Sequence, residues 1–167
     1  MRKKVERNYL EINSIKDLNK TTTFPEKSFV YLVNPADFQL NKFFYKNIGK
    51  NHNWVDRLVW SEKQWKEYTT NKNVKTYILK IKEEIAGYFE LIIHTDQNEV
   101  EIAYLGLLEE YQNKKLGSLL LSSAIKNSFI DKPKRVWVHT CSLDHQNALN
   151  NYLSRGMKIF KTESILI

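Results

Sequence analysis

Leu105-Gly106-Leu107-Leu108-Glu109-Glu110-Tyr111-Gln112-Asn113-Lys114-Lys115-Leu116-Gly117-Ser118-Leu119-Leu120-Leu121 is the stretch on which the reading of this chain turns. It reads as the end of a strand, a short polar loop and the start of an amphipathic helix. The first-turn N–H groups of a helix have no intrahelical partner and sit at the positive end of its dipole, so a loop that lays a phosphate across them makes an anion site. Lys114 and Lys115 add positive charge there, and Gly117 removes a side chain that would keep a pyrophosphate from the backbone. Leu116, Leu119, Leu120 and Leu121 give the helix an apolar side to dock on a sheet. The ligand expected is a phosphate-bearing cofactor. A P-loop is excluded, because G-x-x-x-x-G-K-[ST] occurs nowhere in the chain.

Outward from this loop the pattern is that of alternating strands and helices. On its amino-terminal side, Val74 to Ile81 and Glu84 to His94 are consecutive strand-like runs joined at Lys82-Glu83. Thr95 to Asn98 then turns the chain into Val100 to Leu107, which completes a three-stranded antiparallel meander. On its carboxy-terminal side the helix runs to about Phe129, Asp131-Lys132-Pro133 ends it, and Arg135 to Thr140 is the next strand. Strand, helix and strand imply a right-handed parallel crossover. Asp144-His145-Gln146-Asn147 is expected to start a helix carrying Ala148, Leu149, Tyr152 and Leu153, with Gly156 at its end and a final strand from Met157 to Ile167.

The first part of the chain is less patterned. Val5 to Ile12 and Lys27 to Val33 read as the opening strands of a sheet, and Asp37 to about Ile48 as a helix stopped by Gly49. A second helix begins at Ser61, where Ser61-Glu62-Lys63-Gln64 fits a capping box. Between these helices Trp54, Arg57 and Trp60 sit in one linker. Either the rings cover a sheet edge while Arg57 pairs with a carboxylate, or they wall a substrate site, since flat aromatic faces hold cationic or aromatic groups.

At 167 residues, 42% of them hydrophobic, the chain suits a single domain over residues 1–167 with one core. It has no run of about 18 apolar residues, and Met1-Arg2-Lys3-Lys4 leads into polar sequence; the expectation is a cytoplasmic protein without a membrane partner. Cys141 is the only cysteine, and His52, His94, His139 and His145 include no i, i+4 pair, so no metal is expected. The net charge of +7 raises a nucleic-acid reading, but the lysines are scattered and interleaved with acids rather than gathered in a patch.

Gln112-Asn113-Lys114-Lys115-Leu116-Gly117 resembles the Q/R-x-x-G-x-G/A pyrophosphate loop of the GNAT acetyl-CoA-dependent N-acetyltransferases, with Lys115 in place of the first glycine. Two more motifs follow in the right order. Glu101 to Leu107 is similar to the family's central strand, and Ala148 to Tyr152, followed by Gly156-Met157, is similar to its A-x-x-x-Y-x-x-x-G-F helix, with His145 and Met157 departing from the usual Asn and Phe. The resemblance implies an α/β fold: a mostly antiparallel mixed sheet with one parallel crossover and helices on both faces. It also implies acetyl-CoA as cofactor, with CoA as product, and a small-molecule or peptide amine as acceptor. Carried over residue by residue, Leu107, Gln112, Asn113, Lys114, Lys115, Leu116, Gly117, Ser118 and Asn147 bind the cofactor; Glu101 is the general base and Tyr152 the general acid.

The chemistry is consistent with those roles. An alkyl ammonium of pKa near 10.4 must lose a proton before it attacks a thioester, which at pH 7 costs roughly 4.6 kcal/mol. Strand alternation puts Glu101 on one face with Glu99, Ala103 and Leu105, opposite Val100, Ile102 and Tyr104. Glu90 on the preceding strand is a second carboxylate for the same task, on the substrate side with Trp54, Arg57 and Trp60. Tyr152 can protonate a departing thiolate at neutral pH. A CoA-binding regulatory module without catalysis and a basic nucleic-acid binder are the alternative readings. The strand from Ile159 to Ile167, if it forms a sheet edge, suits a homodimer.

Overall fold

The computed structural model describes residues 2–167; of the segments read above, only Met1 lies outside the described residues. The strands are β1 (Lys4–Ile12), β2 (Ser28–Leu32), β3 (Val74–Ile81), β4 (Glu84–His94), β5 (Glu99–Leu107), β6 (Arg135–Cys141) and β7 (Lys158–Leu166). The helices are α1 (Phe38–Gly49), α2 (Glu62–Thr70), α3 (Leu116–Ser128) and α4 (Ala148–Ser154). The strands form one sheet in the order β2-β3-β4-β5-β6-β1-β7. β5 and β6 are parallel, with α3 between them in the chain, and the other neighbours are antiparallel.

The local signals for the helices act as read. Asp37 Oδ1 accepts from the Gln39 N–H at 3.1 Å, and the Ser61 capping box is complete: Ser61 Oγ accepts from Gln64 N–H at 3.2 Å while Gln64 Oε1 accepts from Ser61 N–H at 2.8 Å. One start is later than expected. Asp144 belongs to no helix, because its Oδ2 accepts from the Thr140 hydroxyl and the Cys141 N–H at 2.6 and 2.9 Å; α4 begins only at Ala148. A short acid that hooks nearby backbone competes with helix formation.

The two opening strands part company. β2 lies at one edge against β3, whereas β1 is inserted between β6 and β7 at the other end. Alternation says that a segment is a strand but names no partner; Leu10 and Ile12 are buried in the α3-side core because β6 and β7 flank β1.

Apolar side chains pack on both sheet faces. On one, Leu116, Leu120, Leu121 and Ile125 of α3 and Tyr152 of α4 meet Phe89, Leu91, Val100, Ile102, Val136 and Val138. On the other, Phe44 and Ile48 of α1 meet Ile78, Tyr88 and Leu108, with the Phe44 and Tyr88 rings stacked at 4.8 Å.

A bulge in β5 corrects the expected face pattern. Glu90 pairs with Tyr104 but the next rung joins Leu91 to Ile102, so Ala103 is an extra residue. One inserted residue inverts every side chain beyond it. Tyr104 and Gly106 therefore share the α1 face with Glu101, while Leu105 and Leu107 turn to the α3 core. Pairing between β5 and β6 covers only Glu99 to Glu101 against Arg135 to Trp137. Beyond that rung the two parallel strands are no longer joined.

Candidate active site

Where β5 and β6 separate, a cleft of about 1320 Å³ opens, and most of the residues singled out by sequence line it: Glu101, Leu107, Gln112, Asn113, Lys115, Gly117, Ser118, Asn147 and Tyr152, with Trp54 and Arg57 on the other wall. The loop end is built by its backbone. Lys115, where the family motif has glycine, precedes α3 with φ 62° and ψ 18°, the left-handed conformation that glycine adopts without strain, and Asn113 is also left-handed at φ 59°. Lysine thus keeps the glycine geometry at a cost of order 1–2 kcal/mol. Gln112 Nε2 donates to Leu107 C=O at 3.2 Å and ties the loop to the end of β5.

No side chain caps α3 at Lys115. A Cβ built on Gly117 would meet nothing closer than Asn151 Nδ2 at 3.5 Å, an ordinary contact. Protein packing therefore does not require glycine here; the open space over the first turn fits a group that approaches the backbone from outside the chain. Asn151 Nδ2 donates to Gly117 C=O at 3.0 Å and fixes α4 against α3. Leu116 is buried in the core, and Lys114 rests 5.7 Å from the Tyr111 ring centroid, so neither side chain lines the cleft.

The donor at the end of β5 follows from the ladder. Leu108 N–H donates to Ala86 C=O at 2.8 Å, and alternate residues point their backbone groups to opposite sides. The Leu107 N–H therefore faces away from β4, toward the cleft. Tyr152 is buried, 7% exposed, with its ring in the α3 core; burial, and secondly Asp144, raise its phenol above the ordinary value, so it stays a proton donor at neutral pH. Asn147 immediately precedes α4, its N–H donating to His145 Nδ1 at 3.1 Å.

Glu101 lies on the α1 face at the last rung before the strands part. Its Oε1 is 2.9 Å from His94 Nε2, and the His94 ring stacks on Trp137 with centroids 6.0 Å apart. His94 escaped the sequence reading, although it was within reach: the turn at Thr95 to Asn98 folds β4 back on β5 and places positions 94 and 101 diagonally across the hairpin. His139 shares this face and lines the cleft. Desolvation by the cleft walls, then the Arg7 charge, hold its imidazole below the ordinary value.

The substrate-side expectation needs correction at two residues. Glu90 is fully buried and holds Arg57 Nη1 at 2.9 and 3.2 Å, Asn41 Nδ2 at 2.7 Å and the Tyr68 hydroxyl at 3.1 Å, so its oxygens are engaged and it does not reach the cleft. Trp60 does not line the cleft either. Its ring lies 4.8 Å from the Arg57 guanidinium, which also sits over Tyr68 at 4.1 Å and Tyr104 at 4.4 Å. The cation that these rings hold is the chain's own Arg57. Burial is the largest single influence and lowers that guanidinium's basicity, but Glu90, Tyr68 and Tyr104 together outweigh it and leave Arg57 above its ordinary value. Trp54 is shared between the two expected roles: it packs edge-on to Tyr104 at 4.8 Å and still faces the cleft.

The site is thus a seven-stranded sheet split beside a bulge, with an uncapped helix start at one end of the split and a carboxylate and a phenol along it. The family model described as the acetyltransferase (GNAT) family matches residues 38–157. The chain belongs to this family, and is an acyltransferase by that membership. A relative from Lactobacillus delbrueckii subsp. lactis, described as an uncharacterized N-acetyltransferase, is 28% identical over 128 residues, covering 70% of this chain and 73% of the relative. A GCN5-related N-acetyltransferase from Kribbella flavida superposes with a TM-score of 0.70 at 15% identity, over 96% of this chain. This chain spans only 57% of that one. The spermidine N-acetyltransferase of Vibrio cholerae, solved with CoA and spermine, has a TM-score of 0.63 at 16% identity, covering 84% of this chain and 95% of its own.

Proposed function

We propose that this chain transfers an acetyl group from acetyl-CoA to a primary amine by direct attack, without a covalent enzyme intermediate. The observation that carries the reading is the convergence of Gln112, Asn113, Lys115, Gly117 and Ser118 with Glu101 and Tyr152 on one cleft. The first-turn N–H groups of α3, with Lys115, would hold the pyrophosphate, and Asn147 would line the path of the pantetheine arm. When bound, acetyl-CoA supplies a thioester activated for attack. Glu101, held by His94, takes the proton of the incoming ammonium and so converts it to a nucleophile. The Leu107 N–H is turned toward the cleft and can donate to an oxygen that gains negative charge. Tyr152, kept protonated by burial, returns a proton to the leaving sulfur.

Among the described residues no helix is long and apolar enough to cross a membrane, which is compatible with a cytoplasmic setting. β7 is an edge strand, so pairing of two copies along it is a further proposal. The relatives described as aminoglycoside and spermidine acetyltransferases support an amine acceptor as a class.

Calorimetric titration with acetyl-CoA tests the cofactor site. Micromolar binding is expected for the wild type and loss of at least tenfold for Gly117→Trp, whose ring fills the open space over α3. Release of CoA in the presence of an amine panel then tests turnover. Binding without CoA release for any amine would instead make the chain a CoA-binding module.

A further inference from the structure

The acceptor side of the cleft is floored by the α1-side face of β6 and β1. Cys141 pairs with Arg7, His139 with Tyr9 and Trp137 with Glu11, and paired residues share a face, so Arg7 stands beside His139 on the face that carries Glu101. Arg7 reaches this floor only because β1 is inserted between β6 and β7. Its charge has one ion-pair partner, held at a distance. The carboxylate it approaches, Glu163 Oε1, is 3.8 Å from Nη1, beyond hydrogen-bond reach, and its buried Nε has no partner among the described residues.

Glu163 is bonded by the Tyr9 hydroxyl at 2.7 Å and by Lys161 at 3.2 Å, and these two first, with the Arg7 charge the smallest contributor, hold its carboxyl below the usual range. The other acids of the cleft do not compensate. Glu101 is bonded by His94 and Asp144 by Thr140 and Cys141, which leaves Asp56. Of the other two arginines that line the cleft, Arg57 is paired with Glu90 at 2.9 Å, and Arg155 Nη1 donates to the Thr21 hydroxyl at 2.8 Å. A polycationic acceptor would need the opposite balance of charge.

We propose that the acceptor amine carries a carboxylate, which the Arg7 guanidinium holds while Glu101 receives the amine; this rests on the transferase reading above. A guanidinium matches a carboxylate with two parallel hydrogen bonds, which gives orientation as well as affinity. The span is suitable. Four residues along β6 and two strand spacings put the Arg7 and Glu101 Cα atoms about 16 Å apart. Arg7 leans toward Glu163 on β7 and Glu101 toward His94 on β4; a bound carboxylate would draw the long Arg7 side chain back over β6, which leaves room for an amino acid of a few carbons.

The test is calorimetric titration of CoA-saturated protein with ω-amino acids of two to six carbons and with lysine, each against its decarboxylated amine, so that cadaverine answers lysine. At one chain length the carboxylated member is expected to bind about tenfold or more tightly than its partner. Arg7→Gln should abolish that advantage, Arg7→Lys should restore part of it, and both variants should keep wild-type affinity for acetyl-CoA. Equal or tighter binding of the decarboxylated amines at every length overturns the inference. So does an Arg7→Gln variant that loses acetyl-CoA instead, which would assign the arginine to the cofactor. CoA release decides the transferase reading separately. Carboxylate-selective binding without turnover refutes the reading and leaves the anion site standing; if acetyl-CoA does not bind, the titrations are read on the free chain.

Discussion

At the scale of single residues, the two carboxylates that sequence left as alternatives are separated by their surroundings. Glu90 has no exposed surface and three partners, whereas Glu101 has one and faces the cleft. Glu101→Gln is expected to lower kcat about 10²-fold or more with little change in KM for acetyl-CoA, and Tyr152→Phe to lower it less; steady-state kinetics across pH distinguish the two. Retained kcat in Glu101→Gln would move the base elsewhere in the cleft, with His139 the next carrier. Glu90→Gln belongs to a different category. It leaves the Arg57 guanidinium buried beside a neutral amide, and removal of one member of a buried pair costs about 3–5 kcal/mol. Chemical denaturation should reveal that loss, and a shift below about 1 kcal/mol would mean that the aromatic rings alone neutralise Arg57.

At the scale of elements, the site depends on two departures from regular structure. The extra residue at Ala103 turns Tyr104 toward Arg57 and ends the pairing of β5 with β6, so the cleft is a product of register. The second departure is the tight end of α4. Gly156 has φ +104°, and a Cβ there would fall 2.2 Å from Asp17 C=O, whose segment is clipped to α4 by the Asn19 N–H to Arg155 C=O bond at 2.9 Å. Gly156→Ala must strain its backbone and displace that segment together. A loss of at least about 2 kcal/mol is expected, read as a lowered denaturation midpoint at unchanged slope. Because α4 carries Tyr152 and Asn151, the variant should also weaken acetyl-CoA binding.

At the scale of the whole molecule, the buried phenols give stability a definite pH dependence. Tyr68, Tyr88, Tyr104 and Tyr152 are all raised, in each case first by burial. In the unfolded chain these groups ionise near pH 10, while the folded protein keeps them protonated beyond it. A raised folded-state pKa contributes stability that is complete below the unfolded value and falls as pH rises past it. Thermal unfolding should therefore be insensitive to these groups between neutral pH and about pH 9, then fall steeply above pH 10. A flat profile to pH 11 would contradict the burial of the phenols.

The resemblance to the acetyltransferases, the meander, the crossover helix and the capping box of α2 were legible because each rests on neighbours in sequence: alternation, helical spacing, a hydroxyl three residues from an amide. The identities of Glu101, Tyr152 and the loop residues were readable in the same way, as types at a spacing. Partnership was not. Whether Glu90 or Arg57 faces the cleft depends on side chains 33 positions apart, and no local rule couples them. The insertion of β1 beside β6, which carries Arg7 to the cleft, is a choice among sheet edges that alternation leaves undetermined. The inverted faces after Ala103 likewise follow from register with β4. The sequence alone determined which elements form and what chemistry they can carry, since these are set by local backbone and side-chain preference. Tertiary structure decided which charges are spent on one another and which remain for a substrate, since long-range pairing and burial are settled only when the sheet closes.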